Sequence, residues 1–123
     1  MNTPMVQSQD NPSLNAGLDI LIQLYEGCIG FLNQASEACE NGRVDDFKDR
    51  LYRGQRIIEH FQNTLDYEQG GQVPNQLNDL YNFMLDNLTQ SGLTHETDYI
   101  DQVVEQLEIL LDGWRGARPL VLS

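Results

Sequence analysis

The feature that most constrains this chain is a helical spacing of apolar residues that recurs in four stretches, broken only by glycine and proline signals. Asn41-Gly42 closes the first stretch, Gly70-Gly71 the second and Ser91-Gly92 the third, while Pro74 stands just inside the third and Pro119 follows the fourth. Glycine past a helix end and proline at a helix start are the expected asymmetry. In the second stretch Val44, Phe47, Leu51, Ile58, Phe61 and Leu65 fall within an arc of about 100°. In the fourth, Tyr99, Ile100, Val103, Leu107, Leu110, Leu111 and Trp114 share one side. No stretch alternates with the period of two that a half-buried strand requires. Thr94 is placed to cap the fourth helix, and acids at Asp45, Asp46, Asp49, Glu96 and Asp98 suit the positive ends of the second and fourth. The expected fold is therefore all-α, an antiparallel up-down four-helix bundle over residues 14–118, with weakly ordered tails at 1–13 and 119–123. Leu21, Tyr25, Ile29, Leu51, Ile58, Phe61, Leu77, Met84, Leu107, Leu110 and Trp114 are assigned to its core.

Charge narrows the function classes. The formal net charge is −12, with 7 Lys plus Arg against 19 Asp plus Glu, which disfavours nucleic acid and anionic membrane as partners. Five of the seven basic residues, Arg43, Lys48, Arg50, Arg53 and Arg56, belong to the second stretch. From Ile57 to Trp114 there are eleven acids and no Lys or Arg, so the second helix is the one basic side of an acidic bundle. Strictly apolar runs such as Ile20-Leu21-Ile22 are far shorter than the roughly 20 residues of a membrane span. Residues 1–13 lack a basic leader segment. Cys28 and Cys39 on one helix lie about 16 Å apart along its axis, beyond disulfide reach. Unpaired thiols without a signal fit a reducing cytoplasm.

The first helix carries more apolar surface than one core face uses. Its apolar residues, from Leu14 to Cys39, spread over about 200°, twice the arc a bundle helix needs. Ile20, Leu24 and Phe31 stand to one side of the main stripe; Tyr52 and Ile57, Phe83 and Leu85, and Ile109 are similar outliers on the other three helices. These eight are the candidate groove for a partner helix, against the plainer reading of a central helix touching two neighbours.

Catalytic patterns are missing. His95-Glu96-Thr97-Asp98-Tyr99 opens like a zinc-protease motif but has Tyr where the second His must stand. No Glu is followed three residues later by His, as di-iron bundles require, and there is no phosphate-binding glycine loop, so no metal and no cofactor is implied. Histidine phosphotransfer bundles offer an alternative through mid-helix His60. Their His-x-x-Lys-Gly pattern is replaced here by His60-Phe61-Gln62-Asn63-Thr64, with Glu59 adjacent. A generic helical adaptor or dimerising bundle is the other alternative.

Four segments resemble one family. Residues 21–32, Leu-Ile-Gln-Leu-Tyr-Glu-Gly-Cys-Ile-Gly-Phe-Leu, resemble the first-helix pattern of the flagellar export chaperone FliS family. Thr64-Leu65-Asp66-Tyr67-Glu68-Gln69-Gly70-Gly71-Gln72-Val73 is similar to that family's S-L-D-x-E-K-G-G-E-I, with Gln69 in place of Lys. Leu77 with Leu80-Tyr81-Asn82-Phe83-Met84 resembles its N-L-x-x-L-Y-x-Y-M, and Asp112-Gly113-Trp114-Arg115 its closing A-W-K. The resemblance covers roughly residues 18–118 and implies a cytoplasmic chaperone rather than an enzyme. It implies as partners the disordered C-terminal segment of flagellin, wrapped round the bundle in apolar grooves, and the flagellar export gate. The bound form is expected to be a monomer, and the free form to have weak self-association open to it through the same surface. Binding in an apolar groove is expected to depend only weakly on salt.

Overall fold

The computed structural model describes residues 12–68 and 70–122, with side chains for 16–68 and 70–117. Residues 1–11, Gln69 and Ser123 lie outside the described residues, as do the side chains of Leu14, Arg118 and Leu120-Val121-Leu122. The described residues form four helices: α1 (Pro12–Glu40), α2 (Val44–Asn63), α3 (Val73–Thr94) and α4 (Asp98–Leu122). They form a ring in which α1 packs on α2 and α4, and α3 packs on the same two. Neighbours run antiparallel. Cys39, near the end of α1, lies against His95 just before α4, whereas Glu26 further back in α1 meets Arg115 far along α4. The fold class is the one the periodicity predicts.

Each connection has its own physical cause. Between α1 and α2, Gly42 sits at φ 75°, and the Arg43 N–H donates to the Ala38 carbonyl at 2.8 Å, so the left-handed turn closes the orphan end of α1. Asp45 and Asp46 then occupy the first turn of α2, where carboxylates meet the exposed N–H groups. Between α2 and α3 the two glycines have different roles. Gly71 is left-handed at φ 62°, whereas a Cβ on Gly70 would stand 2.3 Å from Pro74 Cγ, so Gly70 is required by crowding rather than by its backbone angle.

The third connection differs from the sequence expectation. Ser91-Gly92 does not end the third helix; α3 continues to Thr94, and the left-handed position falls on His95 at φ 59°. The His95 N–H donates to the Ser91 carbonyl at 2.8 Å, and the fully buried Ser91 hydroxyl donates to the Glu96 carbonyl at 2.8 Å. This buried bond sets where the turn closes. Thr94 accordingly does not cap the fourth helix. Its hydroxyl donates back to Gln90 at 2.9 Å and accepts the Glu96 N–H, while α4 begins after Thr97, whose carbonyl accepts the Asp101 N–H at 3.0 Å. Asp98 and Asp101, not Glu96, fill its first turn. At the far end α4 runs on through Pro119 to Leu122, where a tail was expected from residue 119. Proline removes one helical N–H donor, but its φ near −65° is itself helical.

Of the eleven residues assigned to the core, Tyr25, Ile29, Leu51, Ile58, Phe61, Met84 and Leu107 are buried, and Leu21, Leu77, Leu110 and Trp114 are partly buried against them. The core also takes in Gly54, which periodicity alone does not single out. A Cβ there would lie 2.5 Å from Leu32 Cδ2, and the Cys28 thiol donates to the Gly54 carbonyl at 3.5 Å. The missing side chain lets α2 approach α1 closely. Gly54→Ala is therefore expected to destabilise by about 1–3 kcal/mol through overpacking, despite alanine's roughly 1 kcal/mol better helix propensity. Gly92→Ala is the control, since its Cβ would meet Leu51 at an ordinary 3.4 Å and the change should be neutral or stabilising. Thermal melts of the two variants, read side by side, check this; equal melting points would show that the α1–α2 contact tolerates the methyl.

Candidate functional site

The eight groove candidates divide by burial. Ile20, Tyr52, Phe83 and Ile109 are exposed, at 57%, 55%, 46% and 59% of their surface. Leu24, Ile57 and Leu85 are partly buried and pack against the core. Phe31 is half-buried, with the Arg53 guanidinium 5.8 Å above its ring. The four exposed residues come one from each helix. On each helix the buried stripe takes the opposite side: Leu107 and Leu111 flank Ile109 in sequence and are buried, as Tyr81 and Met84 are beside Phe83. The four therefore stand on four different helices, each off its helix's buried stripe. Four further exposed apolar side chains, Val44, Tyr67, Val73 and Leu93, sit at helix ends or in a connection. Val44 had matched the buried stripe of α2; it is the first residue of that helix and lies beyond the reach of its neighbours' packing. No angular pattern reports such end effects.

These surfaces stand on a rigid interior. At one level of the bundle each helix contributes an aromatic ring. Tyr25 of α1 stacks on Phe61 of α2 at 4.4 Å and 20°, Phe61 lies 5.6 Å from Tyr81 of α3, and Trp114 of α4 meets Tyr25 edge-on at 6.3 Å. The Tyr25 and Tyr81 hydroxyls hydrogen-bond to each other across the diagonal. Towards the other end, the buried Phe47 ring takes His95 edge-on at 5.2 Å.

Burial pushes the Tyr25 hydroxyl above its ordinary value of 10.0, an effect partly offset by its bond to Tyr81. Tyr81 is raised further, by burial first and then by the same bond. Burial also pushes the Cys28 thiol from 9.0 to about 12. All three groups are acids held protonated by the fold. Their raised values contribute stability that is complete below the unfolded values and is lost as pH rises through 9 and 10 towards the folded ones. The native protein is expected to lose stability progressively from about pH 9 upward, with the ionisation of Tyr25 and Tyr81 coinciding with loss of helix. A spectrophotometric titration of tyrosine, followed together with circular dichroism, checks it; phenolate appearing at full helicity for every tyrosine would contradict it. In the native state an aromatic disulfide reagent should label Cys39 and leave Cys28 untouched.

The basic side of α2 is largely self-neutralised. Asp49 holds both Arg50, at 2.8 Å, and Arg53, at 3.0 Å, and Arg56 lies 3.7 Å from Glu59. These pairs are exposed and each adds little to stability. Arg56 also covers the Tyr52 ring at 5.8 Å and donates to its hydroxyl at 3.1 Å. Two of the candidate aromatic rings, Phe31 and Tyr52, thus lie under guanidinium groups, an amphipathic face the sequence did not distinguish from simple apolar surface. His60 is exposed in the last turn of α2 beside Glu59. Among the described residues, no group of three or more His, Cys, Asp or Glu is placed to hold a metal ion, and no helix is long and apolar enough to cross a membrane.

Outward apolar residues thus stand on all four helices of an all-α bundle with a packed aromatic interior. Comparison with known proteins identifies the family of this bundle. The sequence profile of the flagellar protein FliS matches residues 8–121. The flagellar secretion chaperone FliS of Campylobacter jejuni is 32% identical over 111 residues, covering 88% of this chain and 84% of that protein. Its counterparts in Vibrio cholerae and Bacillus subtilis are 28% and 24% identical over 81% and 80% of this chain. A crystal structure of a bacterial flagellar chaperone superposes with a TM-score of 0.76 at 27% identity, covering 82% of both chains. The chain belongs to the FliS family of flagellar secretion chaperones, which are not enzymes.

Proposed function

We propose that this protein is a cytoplasmic chaperone for the disordered C-terminal segment of flagellin, which it keeps unpolymerised and delivers to the flagellar export gate. The observation that carries this reading is the placement of Ile20, Tyr52, Phe83 and Ile109, which put an exposed apolar side chain within the body of each helix, above a closely packed core. A segment wrapped round the bundle meets all four in turn, whereas a single docked helix would meet two at most. Leu24, Phe31, Ile57 and Leu85 extend the same surface inward towards the core.

The mechanism follows from the chemistry of the cargo. Flagellin termini pack as coiled coil in the filament, so before export their apolar residues need substitute contacts. The bundle supplies these from the outward apolar side chains of its helices. Ordering the segment costs conformational entropy, which subtracts from the affinity and keeps the complex reversible, as release at the export gate requires.

The test uses full-length flagellin of the same organism and a version lacking its last forty or so residues, a length suited to wrapping a bundle. The full-length protein should co-elute with the chaperone as a 1:1 complex and stay monomeric under conditions that otherwise polymerise it. The truncated protein should elute alone. Co-elution of both, or of neither, would overturn the reading.

A further inference from the structure

Between α1 and α4 lies an open groove of about 390 Å³, lined by Glu26, Ile29, Glu108, Leu111, Asp112 and Arg115. Its floor is apolar: Ile29 and Leu111 are 9% and 4% exposed. Its rim carries three carboxylates against one guanidinium. Arg115 is committed, donating to Glu26 across the two helices at 2.7 Å and approaching Asp112 at 3.8 Å. Among the described residues Glu108 has no ion pair, and Asp112 has only that long one. The groove therefore holds a surplus of negative charge above an apolar floor.

The shoulders of this groove are open. Gly30 stands four residues after Glu26 on α1, and Gly116 four residues after Asp112 on α4, so each lies one turn along from a rim carboxylate. Among the described residues, a Cβ at either position would meet nothing within 4 Å, nor would one at Gly27 or Gly113. Glycine inside a helix weakens it relative to alanine, and packing among the described residues gives no reason for these four. Their effect is to let a second backbone come close to both helices beside the acids.

We propose that the α1–α4 groove seats a Lys or Arg of the bound segment, with the aliphatic stem on Ile29 and Leu111 and the cationic head between Glu108 and Asp112. Long basic side chains suit such a site because they bury their methylenes while keeping the charge at the rim. The inference rests on the segment-binding function above and adds to it a residue type and a register. An otherwise apolar chaperone gains from this one ionic contact a fixed point along the cargo, because apolar contacts alone allow a segment to slide.

The experiment titrates the C-terminal peptide of the host's flagellin, about forty residues long, into the wild type and into a Glu108→Gln, Asp112→Asn double variant. Both substitutions are isosteric and leave the Glu26–Arg115 bridge intact. The variant is expected to bind roughly three- to tenfold more weakly at low salt. Raising salt to about 1 M, where screening acts within about 3 Å, should bring the wild type down to the variant's affinity and leave the variant unchanged. A peptide series with each Lys or Arg replaced by Met should show the same loss at one position and no further loss in the double variant. Equal affinity of variant and wild type, or tighter binding by the variant, would overturn the inference while leaving the chaperone function standing. No binding to the wild type would instead overturn the function.

Discussion

Phe61→Ala is expected to lower stability by about 3–5 kcal/mol, the range for removing a large aromatic from a closed core. Phe61 is 2% exposed and stacks on Tyr25 while touching Tyr81, so its removal opens a cavity at the level where all four helices meet. It also unseats the Tyr25–Tyr81 hydrogen bond, whose two hydroxyls are costly to leave unpaired in an apolar interior. A domain of this size has roughly 5–15 kcal/mol in total, so the variant sits near the threshold of folding. Trp114 is the chain's one tryptophan and packs edge-on against Tyr25. Its emission should shift red and the near-ultraviolet dichroism should collapse, while much helical signal survives at low temperature. A melting point within a few degrees of the wild type would mean that the aromatic layer does not hold the bundle together.

The second large effect concerns the outer surface. Replacing Ile20, Tyr52, Phe83 and Ile109 together by Gln should leave the melting point nearly unchanged, since exposed positions usually contribute within about 0.5 kcal/mol each. Binding of the flagellin segment should fall by about a thousandfold. Full burial of a large apolar side chain is worth about 1.5–3 kcal/mol, and each of these is already about half covered, so each adds about 1 kcal/mol on binding. Four such losses come to about 4 kcal/mol, or three decades in affinity. An unchanged affinity would move the binding surface away from these residues, towards the partly buried Leu24, Ile57 and Leu85. The contrast with Phe61→Ala separates the two layers of the molecule: one variant loses its fold and the other only its partner.

Helix number and most of the core were legible because burial inside a bundle imposes a spacing of 3.6 residues, and the sequence obeys it on every helix. Gly42 and Gly71 were legible for a related reason, since left-handed backbone selects glycine. What escaped was set by tertiary contact. The end of α3 is decided by the buried Ser91 hydroxyl reaching Glu96, and a left-handed His95 replaces the expected glycine. Gly54 reads in sequence as a weak point in a helix, and only the presence of Leu32 opposite explains it. The candidate site was half legible. A helical wheel separates inward from outward, and Ile20, Tyr52, Phe83 and Ile109, which it sets off the buried stripes, are exposed. It does not tell a truly outward residue from one on the shoulder of the core, and Leu24, Ile57 and Leu85 belong to the second kind. Nor does it reveal that Arg53 and Arg56 lie over Phe31 and Tyr52, because those pairs depend on the rotamers of long side chains.

The most direct test of the account is a calorimetric titration of the flagellin C-terminal peptide into the wild type and the fourfold Gln variant. The wild type should bind one peptide per chain with a negative heat-capacity change, the mark of apolar surface leaving water. The variant should bind about a thousandfold more weakly while keeping its melting point. Absence of heat with the wild type, or equal affinity in both proteins, would contradict the claim that these outward apolar residues hold the cargo.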